Sequence, residues 1–235
     1  MYRLPAILLA AFLFPISNTS ATSFDPTDRY ETREIQGWTI CINKRFLQDQ
    51  RDLSKNTIAL LDHQLFQVVH TLPFHAVAKL RKVVIWVEES ESHHPCMAYH
   101  PDAAWLREHD MNPDKARCVE IANARNFISW TREQPWMVLH ELAHAYHHQF
   151  LNRGFENVEI ATAFETAKTE KRYVAVLHHD GKTVPAYAET NPMEYFAEST
   201  EAFFGANDFY PFVRAELKTH DSPMYDLLLK LWGLR

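Results

Sequence analysis

The chain has 235 residues, 46% of them hydrophobic and only 5 of them glycine, a composition that fits one sizeable globular domain and excludes a fibrous or disordered chain. Its net charge of −6 excludes the basic face that a nucleic-acid surface needs. No run of like charges marks an acidic or basic tail.

The N-terminal stretch MYRLPAILLAAFLFPISNTSATS places Arg3 before an apolar segment, Leu4 to Ile16, and small residues around Thr19, Ser20 and Ala21. That layout predicts a cleaved secretory signal over residues 1–21, cut near Ala21. The other reading is a membrane anchor, but about 13 apolar residues fall short of the ~20 that a spanning helix needs. No later segment is apolar enough to span a membrane. The mature chain, residues 22–235, is therefore expected to be soluble and exported, either secreted or periplasmic. Export permits disulfides. Of Cys41, Cys96 and Cys118, the pair Cys96–Cys118 flanks one loop-rich segment and is the favoured bridge, with three buried thiols as the alternative.

Glu34 to Ile42 reads as a first strand. Thr57 to Val69 carries Leu60, Leu61, Leu65, Val68 and Val69 at helical spacing, and Pro73 stops that helix. Lys82 to Glu88 is β-branched and aromatic, a buried strand. Glu89 to Asp114 is polar and proline-punctuated, a long ordered loop with a short helix near Ala103 to Glu108. Val119 to Trp130 is expected to be a strand, followed by helices from about Glu133 to Leu151 and Val158 to Thr169. Tyr173 to Tyr187 reads as a hairpin turning at His179-Asp180-Gly181. Asn191-Pro192 opens a helix to about Phe204, and two shorter helices, Phe212 to Lys218 and Pro223 to Trp232, close the chain. The pattern is mixed α and β in one domain with a helical C-terminal half.

Val138-Leu139-His140-Glu141-Leu142-Ala143-His144 contains H-E-x-x-H inside a helical pattern. Residues i and i+4 share a helix face about 6 Å apart, so two imidazoles there can converge on one tetrahedral metal. Glu141 lies beside them, placed to take a proton from an attacking water. Leu139, Leu142, Ala143, Tyr146 and Phe150 form a separate apolar stripe, and Thr131 with Gln134 could form a capping box ahead of the helix. With 14 His in the chain, the alternative is a histidine-rich exposed helix face. His147 and His148 are read as surface residues or as residues behind the ligands, because a third histidine another turn along lies too far from the shared metal. The metzincin offsets hold His147 and Phe150, which excludes that class.

A third ligand must come from elsewhere. Glu194, Glu198 and Glu201 lie at i, i+4 and i+7 after Asn191-Pro192, three carboxylates on one helix face. Like charges at that spacing destabilise a helix, and the flanking aromatics argue against a solvated face, so a cation is expected there. For Glu194 alone the alternative is a capping box with Asn191. For Tyr187 it is a core aromatic of the hairpin.

His140-Glu141-Leu142-Ala143-His144, Tyr187 and Glu194-Tyr195-Phe196-Ala197-Glu198 together resemble the gluzincins, zinc peptidases whose third ligand is a glutamate. The likeness is to the catalytic domain of the anthrax lethal factor over roughly residues 136–204. Over most of the mature chain it is to a group of exported metallopeptidases with strings close to NPMEYFAE, closest from Asn191 to Phe212 and including Asn207-Asp208-Phe209-Tyr210-Pro211-Phe212. The resemblance implies an α+β, zincin-like fold: a small mixed β-sheet, an active-site helix and a mainly helical C-terminal half. It implies Zn2+ held by His140, His144 and Glu194, with Glu141 as general base and Tyr187, seven residues before Glu194, as the catalytic tyrosine. Glu198 matches a carboxylate behind the ligands that helps to orient the site. Asn123-Ala124 is similar to part of the substrate-pairing edge strand of thermolysin-like enzymes, so an extended peptide is expected to pair with Val119 to Asn126. The expected activity is that of a zinc metalloendopeptidase acting on a peptide or protein. A non-catalytic zincin-fold binding or toxin-like module, and a zinc hydrolase of a non-peptide amide, are the rival readings.

Overall fold

A computed structural model describes residues 24–235. The leader expected over residues 1–21 lies outside the described residues. Among them, no helix is long and apolar enough to cross a membrane.

The strands are β1 (Tyr30–Ile35), β2 (Trp38–Asn43), β3 (Ile85–Val87), β4 (Met97–His100) and β5 (Cys118–Ile121), in the sheet order β1-β2-β3-β5-β4. β2, β3 and β5 run parallel, while β1 and β4 close the two edges antiparallel. Register sorts the side chains into two faces. Ile40, Ile85 and Val119 form one row, and Ile42, Val87 and Ile121 the next, all inside the main hydrophobic core. Cys41, Trp86 and Glu120 share a row on the opposite face.

The helices are α1 (Lys44–Asp49), α2 (Arg51–Thr71), α3 (Phe74–Leu80), α4 (Ala103–Glu108), α5 (Ala124–Trp130), α6 (Met137–Phe150), α7 (Val158–Thr169), α8 (Pro192–Phe204), α9 (Arg214–His220) and α10 (Ser222–Leu231). A two-stranded hairpin, β6 (Val176–Leu177) and β7 (Thr183–Val184), precedes α8. α6 packs on β4 and β5 on one side and on α8 on the other. Trp232 pins this arrangement: its ring stacks on Tyr146 of α6 at 4.1 Å and lies 6.0 Å from Phe196 of α8. The fold is α+β, with a small mixed sheet, a helix at its edge and a mainly helical C-terminal half, as expected from the sequence.

Several local expectations are corrected. The first strand is a hairpin, because Gln36 and Gly37 take positive φ values of 51° and 85° and turn the chain between β1 and β2. The segment from Val119 to Trp130 is not one strand: the Asn123 side chain accepts the Asn126 N–H and starts α5. The polar loop after Glu89 contains β4 as well as α4. α6 begins at Met137, without the Thr131–Gln134 capping box. Thr131 donates instead to the Phe127 carbonyl and Gln134 to Asp208, and Pro135 keeps the residue before it out of the helix.

The favoured disulfide is also corrected. Cys118 pairs with His100, whereas Cys96 lies at the far end of the β4–β5 ladder, where its carbonyl accepts the Ala122 N–H. Four residues of strand separate them, roughly 13 Å, against the roughly 4.4–6.8 Å that a bridge allows. All three cysteines are free thiols. Burial pushes Cys96 up to about 12 and Cys118 up to about 11.

Candidate metal centre

The α6 residues Leu139, Leu142, Ala143 and Tyr146 enter the core and turn His140 and His144 toward α8. α8 starts sharply because the Asn191 side chain accepts the N–H groups of Met193 and Glu194, with Pro192 in its first turn. This cap satisfies the backbone of Glu194 and leaves its carboxylate free. That carboxylate reaches across to α6, so the capping role and the site role coexist in one residue.

Three donor atoms converge. His140 Nε2 and His144 Nε2 are 3.0 Å apart, and Glu194 Oε2 lies 3.0 Å from the first and 3.2 Å from the second. Ligands at 2.0–2.1 Å around a tetrahedral zinc stand about 3.3 Å from one another, so the triangle closes around a metal with small adjustments. Two imidazoles and a carboxylate are a donor set that suits zinc.

Beside this triangle lies a cavity of about 380 Å³ whose walls include Cys96, Met97, Trp130, Met137, His140, Glu141, His178, Tyr187, Glu198, Glu201, Asp208 and Phe209. Glu141 is half-buried on its wall. Tyr187 is half-exposed and opens a single 3-10 turn after the hairpin, so it is not a core aromatic. Burial raises the Tyr187 pKa, and the Glu194 charge raises it further, which keeps the hydroxyl protonated. The structure thus brings His140, His144, Glu194, Glu141 and Tyr187 to one place. Glu198 is close by, but its nearest carboxylate oxygen is 3.9 Å from His140 Nδ1, whereas Glu201 Oε1 is 2.7 Å away.

Electrostatically the site is short of positive charge. Burial works to lower the His140 pKa, yet hydrogen bonds to Glu194 and Glu201 hold it well above the ordinary value. Glu194 is opposed by burial but is pulled well below the carboxylate range by His140 and His144. Glu198 and Glu201 are both raised, first by burial and then by neighbouring carboxylates. Among the described residues, no lysine or arginine lines the cavity.

The neighbouring histidines behave differently. His147 is fully buried, set 5.2 Å from the Phe155 ring and 5.1 Å from the Phe196 ring, and neither of its nitrogens has a hydrogen-bond partner. It is therefore a core residue, not a surface one. His148 is half-buried and its Nδ1 shares a hydrogen bond with the Tyr99 hydroxyl at 2.8 Å.

Sequence reasoning missed the wall formed by Cys96, Met97, His178 and Asp208. His178 reaches the cavity because the hairpin is tied to the following loop: the His179 N–H donates to the Asp208 carbonyl and the Tyr210 N–H to the Leu177 carbonyl. Only the Asn207-Asp208-Phe209 string hinted at that loop.

No protein-family model and no curated protein matches the chain. The structure resembles the Pro-Pro endopeptidase of Paenibacillus alvei with a TM-score of 0.41 and 18% sequence identity, over 75% of this chain and 90% of that one. The functional reading rests on the geometry of the site itself.

Proposed function

We propose that this chain is an exported zinc metalloendopeptidase of the H-E-x-x-H…E type. The observation that carries the reading is the convergence of His140 Nε2, His144 Nε2 and Glu194 Oε2 within 3.0–3.2 Å of one another, with Glu141 on the adjoining cavity wall. His140, His144 and Glu194 would hold the ion. Zinc, when bound, supplies a Lewis acid for the scissile carbonyl and acidifies the attacking water.

The remaining roles fall to the chain's own groups. Glu141 accepts the proton of the attacking water and passes it to the leaving amine. The Tyr187 hydroxyl donates to the carbonyl oxygen as that oxygen becomes anionic. β5 cannot pair with a peptide, because β3 and β4 occupy both of its sides. The open edge next to the site belongs to β4, whose Met97 lines the cavity. An extended substrate adds there as a further strand, its carbonyl directed at the metal centre.

The test compares wild type, Glu141→Gln and Tyr187→Phe on a mixed peptide library, with zinc content measured for each. All three should carry about one zinc per chain. Glu141→Gln should lose about 10²–10⁴-fold in rate and Tyr187→Phe on the order of 10²-fold. Equal cleavage by wild type and Glu141→Gln would place the catalytic site elsewhere. A zinc-loaded wild type that cleaves no peptide would replace the peptidase reading with a binding module, or, if it cleaves small amides, with a non-peptide hydrolase.

A further inference from the structure

We propose that Glu201 is the positioning residue that fixes His140 as a metal ligand, and that Glu198, one turn away on the same helix face, instead holds the loop that walls the cavity. The proposal rests on the metal-centre reading above. The two carboxylates look equivalent along α8, but their partners divide them.

Glu201 Oε1 accepts the Nδ1–H of His140 at 2.7 Å. As a metal ligand the imidazole is neutral and carries one N–H, so this bond keeps that N–H on Nδ1 and leaves the lone pair on Nε2, the atom that faces His144 and Glu194. The bond also sets the ring's rotation about its side-chain axis. Glu201 is 3% exposed, so water does not compete for the bond. A histidine ligand whose second nitrogen is held by a carboxylate has its ring orientation set before the ion arrives and its tautomer set when the ion binds.

Glu198 is occupied elsewhere. Its Oε2 accepts Asn207 Nδ2 at 3.0 Å, and its Oε1 stands 3.9 Å from His140 Nδ1, beyond hydrogen-bond reach. Asn207 is the knot of the loop after α8: the same Nδ2 donates to the Phe209 carbonyl at 3.0 Å, and the Asn207 N–H donates to the Phe212 carbonyl at 2.9 Å. The next residue, Asp208, accepts Gln134 Nε2 at 3.2 Å and the His179 N–H at 2.8 Å, which ties the loop to the segment before α6 and to the hairpin. Glu198 therefore acts on the cavity wall and Glu201 on the ion.

The experiment measures the zinc dissociation constant of the mature protein by competition with a chromogenic chelator. Wild type is compared with Glu201→Leu, Glu201→Gln, Glu198→Leu and, as a control, Glu194→Ala. Thermal unfolding of each metal-free variant shows that it is folded. Glu201→Leu should weaken zinc about 10–100-fold, the usual cost of losing such a partner. Glu201→Gln keeps the shape and an acceptor oxygen, so its loss should be smaller, an ordering that a purely steric role would not produce. Glu198→Leu should leave the zinc constant within a few-fold of wild type but speed amide exchange at Asn207. Unchanged zinc binding in both Glu201 variants, or a larger loss in Glu198→Leu than in Glu201→Leu, overturns the assignment while the metal centre stands. A wild type that binds no zinc, or a Glu194→Ala variant that binds it normally, overturns the metal centre itself and this proposal with it. Two zinc ions per wild-type chain would assign His140, Glu198 and Glu201 to a second ion and also overturn it.

Discussion

Among the described residues, two of the buried ionic clusters are built on opposite principles. On the outer face of the sheet, Lys115 reaches both Glu88, at 2.7 Å, and Glu120, while His100 bonds Glu120 at 2.6 Å and the Tyr30 hydroxyl donates to Glu88. Burial opposes the charge on Glu120, yet His100 and Lys115 outweigh it and lower its pKa. Between α6, α8 and the loop after α8 the signs reverse: burial raises Glu198 and Glu201, with Glu201 adding to Glu198 and Asp208 adding to both, and three imidazoles, His140, His144 and His178, face five carboxylates, Glu141, Glu194, Glu198, Glu201 and Asp208. The first cluster holds its own buried cation, Lys115, between its two carboxylates. The second is rich in carboxylates and has no lysine or arginine on its cavity wall among the described residues, and a divalent cation at the proposed His140–His144–Glu194 site would offset them.

The sharpest way to break that contrast is to unbalance the balanced cluster. Lys115→Met leaves Glu88 and Glu120 buried without their cation and should cost about 3–5 kcal/mol in urea unfolding. Its zinc affinity should stay at the wild-type value, because the ligands lie on the other face of the sheet. In the metal cluster the ordering is inverted. Stripping zinc from wild type should lower stability by about 2.7 kcal/mol relative to zinc at a hundred times its dissociation constant. A Lys115→Met protein as stable as wild type would show that the two clusters do not differ in kind.

A smaller effect is expected at the joint that sets the spacing of α6 and α8. Gly205 caps α8, and a Cβ there would stand 1.9 Å from Cε2 of Trp136, the residue that precedes α6. Gly205→Ala must push the indole aside and should cost about 1–3 kcal/mol. Because Trp136 heads the helix that carries His140, zinc should bind more weakly as well. A stability loss without any change in zinc affinity would show that the triangle tolerates movement between the helices.

What the sequence revealed and what it hid follow from range. His140, Glu141 and His144 are legible because four residues of helix fix their relation with no help from the rest of the fold. The face of Glu194, Glu198 and Glu201 is legible as a place for a cation because a carboxylate-rich helix face is unfavourable without one, while the choice of Glu194 among them comes from the family resemblance. The division between Glu198 and Glu201 is not legible, since both share that face and only the packing of α8 on α6 decides which one meets Nδ1. β4 hides for another reason. Met97–His100 is four residues long among prolines and histidines, and its strand character comes from pairing with β5. The split of the expected strand at Asn123 depends on a side chain capping its own backbone, a signal easily lost beside a run of apolar residues.

His147 offers the finest test, because it sits one turn from the ligands yet shares none of their partners. It is fully buried, and burial, followed by the charges of His144 and His148, lowers its pKa to about 3. The unfolded chain protonates it near 6.5. Between those values the unfolded state binds the extra proton, so its contribution to stability is complete above about pH 6.5 and is lost progressively as the pH falls toward 3. At pH 5.5 the loss from this one residue is about 1.4 kcal/mol relative to pH 7.5. His147→Leu keeps an apolar side chain between Phe155 and Phe196 and removes the titration. Urea unfolding of the metal-free proteins at both pH values should therefore show wild type losing more than the variant by that amount. An equal loss in the two proteins would mean that His147 is hydrated or protonated in the folded state, and that the unbalanced cluster extends one turn further along α6 than its carboxylates indicate.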